Sequence, residues 1–383
     1  MDFMNVPWLE PRAAYVHIPF CAHHCSYCDF AIAVRQEHRI ELYLDALAAE
    51  LATLSGPRAV ETIFVGGGTP TLLSARQLER LLVTIHQWLR LAPAGEFSIE
   101  ANPDSVDAAK VTVLAEHGVN RISLGAQSFH PQLLAALERR HSPPEVPRAV
   151  EAVKGRIGRV SLDLIFGVPG QTLAEWRSDL KQALDLEPDH LSTYGLTYEK
   201  GTPLWKNWKR GVVQPVDEEV ERAMYGCAMD VLEQAGFEHY EISNFARPGC
   251  RCRHNEVYWA NHAYFGFGMG AARYNNGRRE TNTRNLQGYV RKTLSGESPV
   301  FQSEELPPAE RARETMAQNL RRAEGIQRNF FREQTGFEFD ALVGAALTRH
   351  VDSGLLADNG STVRLTREGK YVADSVIEGL WCA

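Results

Sequence analysis

The chain has 383 residues, with 41 Lys and Arg against 48 Asp and Glu, a formal charge of −7, and 44% hydrophobic and 23% charged residues. That balance excludes a disordered chain, and no apolar run reaches the length of a membrane-spanning helix. Mild acidity offers no general attraction to nucleic acid or anionic lipid, so no nucleic acid partner and at most peripheral membrane association are expected.

Residues 1–12 read as an N-terminal arm without the basic and apolar regions of a signal peptide, and a cytoplasmic location is expected. Between 13 and 200, short β-branched or aromatic runs alternate with helix-period stretches, as parallel strands joined by crossover helices do. Six strands are expected, over 14–18, 62–65, 97–100, 121–126, 160–166 and 191–196. Helices are expected over 41–54 and 78–91, the second capped by Ser74. Six such units suit an α/β protein with an open parallel sheet or a partial (β/α)6 barrel of the TIM type. In either, functional groups gather beyond the strands' carboxyl ends. The motifs fall there: Cys21 follows the first strand, Gly66-Gly67-Gly68-Thr69-Pro70 the second, Glu100 ends the third and Gln127 the fourth.

Beyond 200 the pattern breaks at Gly201-Thr202-Pro203 and at 211–215. Asp217 is expected to cap a helix reaching about residue 234. Residues 236–300, rich in Gly, Asn, Tyr and Arg, read as an irregular surface-wrapping stretch of an α+β extension spanning 201–303. From 304 to 383, three helical stretches lead to Leu355-Leu356, the turn Asp358-Asn359-Gly360, a strand over 363–365 and a helix capped by Thr366. That is the order of a small winged-helix-like unit. It holds ten Lys or Arg against thirteen Asp or Glu, which disfavours DNA.

Seven cysteines, an odd number in a chain without an export signal, point away from a disulfide framework and towards metal or redox roles. Cys21, Cys25 and Cys28 share one loop, so three thiolates can face one cluster. Four irons need four outer ligands. Three from the protein leave one iron for the amino and carboxylate groups of S-adenosylmethionine, whose sulfonium accepts an electron from the cluster. The competing assignment is a zinc site completed by His23, His24 or a remote residue. Cys250 and Cys252 stay unassigned, and Cys227 and Cys382 read as structural or free thiols.

The stretch Tyr15-Val16-His17-Ile18-Pro19-Phe20-Cys21 through Asp29-Phe30 resembles the opening of the HemN and HemW group of radical SAM proteins. The likeness continues through 66–71, 99–103, 124–129, 139–141, 163–171, 240–247, 254–259 and the C-terminal unit. It implies a 4Fe-4S cluster on Cys21, Cys25 and Cys28, with Tyr15, Tyr27, Gly67, Gly68, Thr69, Glu100, Gln127, Arg139 and Asp163 around S-adenosylmethionine. The glycines would let the backbone approach the methionine moiety, with free N–H groups and a hydroxyl as donors. Glu100 and Asp163 would accept hydrogen bonds from an ammonium or a ribose diol, the plain alternative being a salt bridge or cap. For Arg139, within Glu138-Arg139-Arg140-His141, that alternative is a solvated charge run.

Within the group, oxidative decarboxylases of coproporphyrinogen carry a further cysteine two residues after the third ligand, where this chain has Phe30. Phe30 therefore favours the haem-binding chaperones. His254-Asn255-Glu256-Val257-Tyr258-Trp259 matches the HNxxYW pattern associated with haem binding, which implies haem contacts by His254, Asn255, Tyr258 and Trp259, His254 being a candidate axial ligand. The bland alternative is a packing segment in which His254 is bonded to protein and the aromatics fill a core. We expect a haem chaperone that passes haem to acceptor haemoproteins, the transfer being implied by the resemblance alone. A radical SAM enzyme acting on a porphyrin is the second expectation, and a homodimer stays open.

Overall fold

The computed structural model describes residues 8–275 and 277–382; the first seven residues of the expected N-terminal arm lie outside the described residues. Strand β1 (Ala13–Ile18) runs into β2 (Phe20–Cys21), beside which β3 (Ala33–Val34) returns in parallel. Then come β4 (Arg58–Gly67), β5 (Leu89–Ala101), β6 (Arg121–Gln127), β7 (Arg159–Phe166) and β8 (His190–Gly195), with helices between them. β1 and β4 to β8 pair in parallel in chain order, so all six expected strands are present.

Side chains alternate across these strands with period two. Val16, Ile63, Val65, Phe97, Ile99, Ile122, Leu124, Leu162, Leu164 and Leu191 are buried in one core with the crossover helices. Their neighbours Tyr15, His17, Phe64, Glu100, Arg121, Ser123, Ser161, Asp163, His190, Ser192 and Tyr194 line a single cavity of about 490 Å³. Six strands facing one cavity make a curved wall, the expected partial barrel. Its outer face is apolar and its inner face polar.

Local chemistry sets the helix ends. Ser74 caps the helix Ala75–Trp88 through a reciprocal box, Gln77 N–H to its hydroxyl at 3.3 Å and its own N–H to Gln77 Oε1 at 3.0 Å. Asp217 caps Glu218–Gln234, accepting from Glu219 N at 2.9 Å. The helix expected over 78–91 stops at Trp88, and β5 starts at Leu89. Pro93 accounts for the difference, since it cannot continue a helix and drives the residue before it towards extended backbone.

The stretch expected to be irregular is instead ordered. β10 (Asn244–Ala246) adds antiparallel to β8 and β9 (Glu238–His239) antiparallel to β10, while β11 (Phe265–Phe267) adds parallel to β1, giving an open sheet of nine strands. β12 (Ala272–Asn275), β13 (Arg278–Asn282) and β14 (Val300–Glu305) form a separate antiparallel sheet. The glycines that suggested irregularity mark turns, Gly268 and Gly270 having φ of +103° and +73°. Buried Glu50, on the helix Ile40–Ala52, ties this region to the barrel by accepting from Gly268 N, Tyr289 Oη and Asn282 Nδ2, each at 2.7 Å.

The C-terminal unit has its own core around Met316, Phe331, Phe339 and Val363. Its sheet runs β15 (Ile326–Gln327), β17 (Thr362–Leu365), β16 (Leu356–Asp358) in space. The expected turn joins β16 and β17, with Asn359 Oδ1 accepting from Thr362 N at 2.8 Å, and Thr366 caps the following helix through Gly369 N at 3.0 Å. Among the described residues no helix is long and apolar enough to cross a membrane.

One short helix, Arg253–Trp259, is held from below the barrel. Its first N–H groups have no intrahelical acceptor. Glu96 of β5 supplies one, accepting from Arg253 N at 3.2 Å and His254 N at 3.3 Å, and from Arg121 Nε at 3.1 Å. Arg121 Nη2 in turn donates to the carbonyls of Cys250 and Arg251, both at 2.8 Å. Burial alone would raise the pKa of Glu96, but Arg121 and the two backbone N–H groups overcome it and leave the carboxyl below its ordinary range. Glu96→Gln leaves Arg121 without its counter-charge and should lower the unfolding free energy by about 3–5 kcal/mol. Urea denaturation measures this, and a loss below about 1 kcal/mol would contradict the role given to the pair.

Candidate functional site

The loop bearing the three cysteines begins where β1 ends, and its shape is set by neighbours on both sides. Cys28 N donates to Cys25 O at 3.2 Å, and His24 Nε2 donates to Cys28 O at 3.0 Å. His23 pairs with Glu138 at 3.6 Å. Both histidines are thus engaged away from the thiols. Among the described residues no group of three or more His, Cys, Asp or Glu is gathered tightly enough for a single metal ion. Thiols that each bind a different iron of a cluster need not converge to that degree.

The donor set fits such a cluster. Arg139 Nη1 stands 3.6 Å from Cys25 Sγ and Thr69 Oγ1 3.7 Å from Cys21 Sγ, so sulfur has polar hydrogens beside it. Burial pushes the Cys21 thiol up to about 12, against the Thr69 bond, and burial also raises Cys28. The Cys21 and Cys28 thiols therefore hold their protons, and taking up iron must release them.

His17 fixes the segment after the cluster loop. Its Nε2 donates to Ala31 O at 2.8 Å, which leaves Nδ1 to accept from Tyr15 Oη at 2.9 Å. Burial lowers its pKa to about 4, consistent with a neutral ring. At the cavity mouth Arg284 donates to the backbone carbonyl and carboxylate of Asp29, and Phe30, 63% exposed, stands beside them.

The glycine loop differs in one respect from expectation: its N–H groups are not free. Gly67 N donates to Glu100 Oε2, Gly68 N to Ile18 O and Thr69 N to Phe20 O, each at 2.8 Å. The glycines are required by packing. A Cβ on Gly67, whose φ is +111°, would lie 2.3 Å from the His17 ring, and one on Gly68 would lie 2.7 Å from the Phe20 carbonyl oxygen. The hydroxyl of Thr69 accepts from Asn102 Nδ2 at 3.0 Å.

The expected S-adenosylmethionine contacts divide between two spaces. Tyr15, Gly67, Glu100 and Asp163 line the barrel cavity, whereas Thr69, Arg139 and Cys25 line a smaller pocket of about 180 Å³ on the other side of the loop. Tyr27 packs against a small apolar cluster that includes Leu133, Leu137 and Leu204. Gln127 ends β6 with φ of +62°, unusual for a residue with a side chain, and its buried Oε1 lacks a partner. The buried Nε of Arg139 lacks one too, while Nη2 donates to Asn102 Oδ1 at 2.7 Å and Gly125 O at 2.8 Å. Arg139 is therefore built into the rim and is not part of a solvated run. Orphaned polar atoms here are capacity that a polar ligand can satisfy. Burial pushes Glu100 up to about 7, against the Gly67 bond, and nearby Asp163 adds to the rise. Asp163 is likewise raised by burial and is held at 3.0 Å by Ser123 Oγ.

The four expected haem contacts are also divided. His254, Asn255 and Tyr258 face the barrel cavity, and Trp259 lies 5.7 Å from the Arg321 guanidinium elsewhere. His254 is fully buried, with Nδ1 bonded to Thr62 Oγ1 and Nε2 to Tyr258 Oη, both at 2.8 Å. Sequence reasoning missed Arg121, Ser123, Ser161, His190 and Ser192, which complete the polar interior. The signal was present as alternation: Arg121-x-Ser123, Ser161-x-Asp163 and His190-x-Ser192 put polar groups at every second residue of their strands.

Residues 15–183 match the Radical SAM superfamily and residues 306–372 the HemN C-terminal domain. The chain is 38% identical over 371 residues to the protein named "Heme chaperone HemW" in Bacillus subtilis, covering 95% of this chain and 98% of that one. Bearers of the same name are 40% identical in Synechocystis, over 83% of this chain and 80% of the relative, and 34% identical in Escherichia coli, over 97% and 98%. The solved structure of coproporphyrinogen III oxidase (HemN) from Escherichia coli superposes with a TM-score of 0.85 at 22% identity, covering 98% of this chain and 91% of that one. At that identity the likeness speaks for the fold alone.

Gly67→Ala should be destabilised by about 1–3 kcal/mol from its backbone conformation alone. It should also displace His17 from Ala31, so iron and sulfide analysis after anaerobic reconstitution is expected to find less of both per chain. Wild-type stability and iron content would refute the packing account of this glycine.

Proposed function

We propose, from the premise that this chain belongs to the HemW family of the radical SAM superfamily, that it is a haem chaperone which binds haem and passes it to an acceptor haemoprotein. The observation that carries this function is similarity over nearly the whole length of relatives that bear the name. Phe30 after the cluster loop, in place of a further cysteine, agrees with it.

In this proposal Cys21, Cys25 and Cys28 hold a 4Fe-4S cluster, and Tyr15, Tyr27, Gly67, Gly68, Thr69, Glu100, Gln127, Arg139 and Asp163 surround exchangeable S-adenosylmethionine. When bound, the pair supplies one-electron chemistry at the sulfonium. Arg139 and Thr69 place N–H and O–H groups near the cysteine sulfurs, and His17 keeps the loop's exit in position. Glu100 holds a proton below about pH 7, and as a carboxylate above it would accept from a ligand ammonium. The helix Arg253–Trp259 is part of the haem platform.

A second function, a radical SAM enzyme acting on a porphyrin, draws on one observation. The polar cavity extends from Glu100 and Asp163 down to Arg121, leaving about 490 Å³ within reach of the cofactor residues. Sustained release of 5'-deoxyadenosine that rises on addition of a porphyrinogen would favour this enzyme over the chaperone.

Anaerobically reconstituted protein should bind about one haem per chain with a Soret band; no haem uptake would remove the chaperone function. Because the Glu100 pKa is raised, its carboxylate form is lost as pH falls through about 7. S-adenosylmethionine affinity measured by calorimetry should therefore weaken from pH 8 to pH 6 by about tenfold. Glu100→Gln should bind more weakly and lose that slope. An unchanged slope in the variant would assign the titration to another group.

A further inference from the structure

We infer that the helix Pro203–Lys209 and the turn after it are the docking face for an acidic flavoprotein that hands single electrons to the cluster. Its purpose rests on the cluster proposed above for Cys21, Cys25 and Cys28. A cluster that gives an electron to a sulfonium has to be refilled by a donor that comes to it. The helix is fastened to the cysteine loop: Leu204 N donates to Ser26 O at 2.9 Å, and Leu204 belongs to the apolar cluster against which Tyr27 packs. Tyr198 packs against the same cluster, its ring centre 5.4 Å from that of Trp208. Packed side chains thus run from the indole of Trp208 to Tyr27, the residue before Cys28, and an electron has a path through protein instead of across solvent.

Charge selects the partner. Between 198 and 213 the chain has Lys200, Lys206, Lys209 and Arg210 against Glu199 alone, in a molecule of net charge −7. All four cations are exposed, and none is engaged in an ion pair among the described residues. Elsewhere on the surface Arg80, Arg222 and Arg367 each have a carboxylate partner. Unpaired cations gathered in one place on an acidic chain attract an acidic surface and orient it as it approaches.

Apolar surface lies among these charges. Trp205 and Trp208 are half-buried, and Lys209 Nζ stands 3.9 Å from the centre of the Trp208 ring and 5.9 Å from that of Trp205. Val212, 71% exposed, sits in the turn that closes the helix, its N–H donating to Asn207 O at 3.0 Å. Aromatic anchors surrounded by charge are the make-up of a protein interface. The indoles suit a carrier whose redox group reaches its surface as a flat apolar ring edge, as a flavin does. A helix of seven residues has too little apolar face to lie in a bilayer surface. In the docked pair the anionic reduced flavin loses one electron and the oxidised cluster gains it. No bond forms or breaks, and no proton crosses the interface.

The test uses the full-length, cluster-loaded chain with an acidic flavin-mononucleotide carrier protein as the probe, reading affinity by calorimetry and cluster reduction by stopped-flow absorption. Raising salt from about 50 mM to about 500 mM should weaken binding about tenfold or more. The combined variant Lys206→Glu, Lys209→Glu, Arg210→Glu should lose about tenfold or more in both affinity and carrier-driven reduction. It should keep wild-type iron and sulfide content and wild-type reduction by dithionite, which needs no docking face. The neutral set, with Gln at the same three positions, should fall between. Wild-type affinity and rate in the charge-reversed variant, or no binding of the carrier by the wild-type chain, would overturn the proposal. So would phosphatidylglycerol vesicles that bind the wild-type chain and not the variant while carrier binding is equal in both, which would assign the patch to lipid. A chain that takes up no iron and sulfide would instead overturn the cluster assignment.

Discussion

A single buried carboxylate, Glu96, ties the helix Arg253–Trp259 and the turn before it to the barrel floor. It neutralises Arg121 at the barrel floor, caps the helix Arg253–Trp259 and accepts from Cys252 Sγ at 3.4 Å. Its exposure is 2% and that of Arg121 1%, so neither charge can turn to water for compensation. A pair this deep contributes little net stability over an apolar substitute, but removing one member leaves the other stranded. Its value lies in position. The helix it caps forms part of the barrel cavity's wall through His254, Asn255 and Tyr258, and Glu96 sets where that wall stands.

At the opposite end of the barrel, backbone contacts do the comparable work. The glycine loop lies against Ile18 and Phe20 through its own N–H groups, and Glu100 holds Gly67 from the next strand. Cysteine loop, glycine loop and β5 are therefore tied together by hydrogen bonds of the protein itself. Unmet capacity remains at buried polar atoms, among them the Oε1 of Gln127 and the Nε of Arg139 at the rim. A positive φ at Gln127 adds local strain at the same rim. Order in the backbone with unmet capacity in the side chains is how a binding site differs from a core.

Much of this was legible in the sequence because its signals are local. The six strands declared themselves by β-branched runs, and Ser74, Asp217 and Thr366 capped the helices that follow them. The region after 236 was not legible, because its strands find partners far away in the chain: Phe265 pairs with Ala14, and Phe245 with Leu191. Short segments of two to four residues carry too little periodicity to show without those partners. The cluster loop and the carboxylates were found by type and spacing. His254 illustrates the limit: Tyr258 is four residues on and faces it by helix geometry, whereas Thr62 reaches it from another strand. The N–H groups of the glycine loop belong to the same class, since nothing in Gly-Gly-Thr tells that they are already bonded.

The alternation of polar and apolar residues along the barrel strands has an evolutionary consequence. Outward positions such as Ile99, Leu124 and Leu162 maintain the architecture, and inward ones such as Ser123, Ser161 and Ser192 do not touch that packing. Selection can therefore act on the two sets separately. A lineage can exchange what its interior recognises, or retire a chemistry altogether and keep the cofactor cradle for another purpose, while drift on the inner face leaves the scaffold intact. Divergence of occupation without divergence of shape is the expected history of a wall built this way.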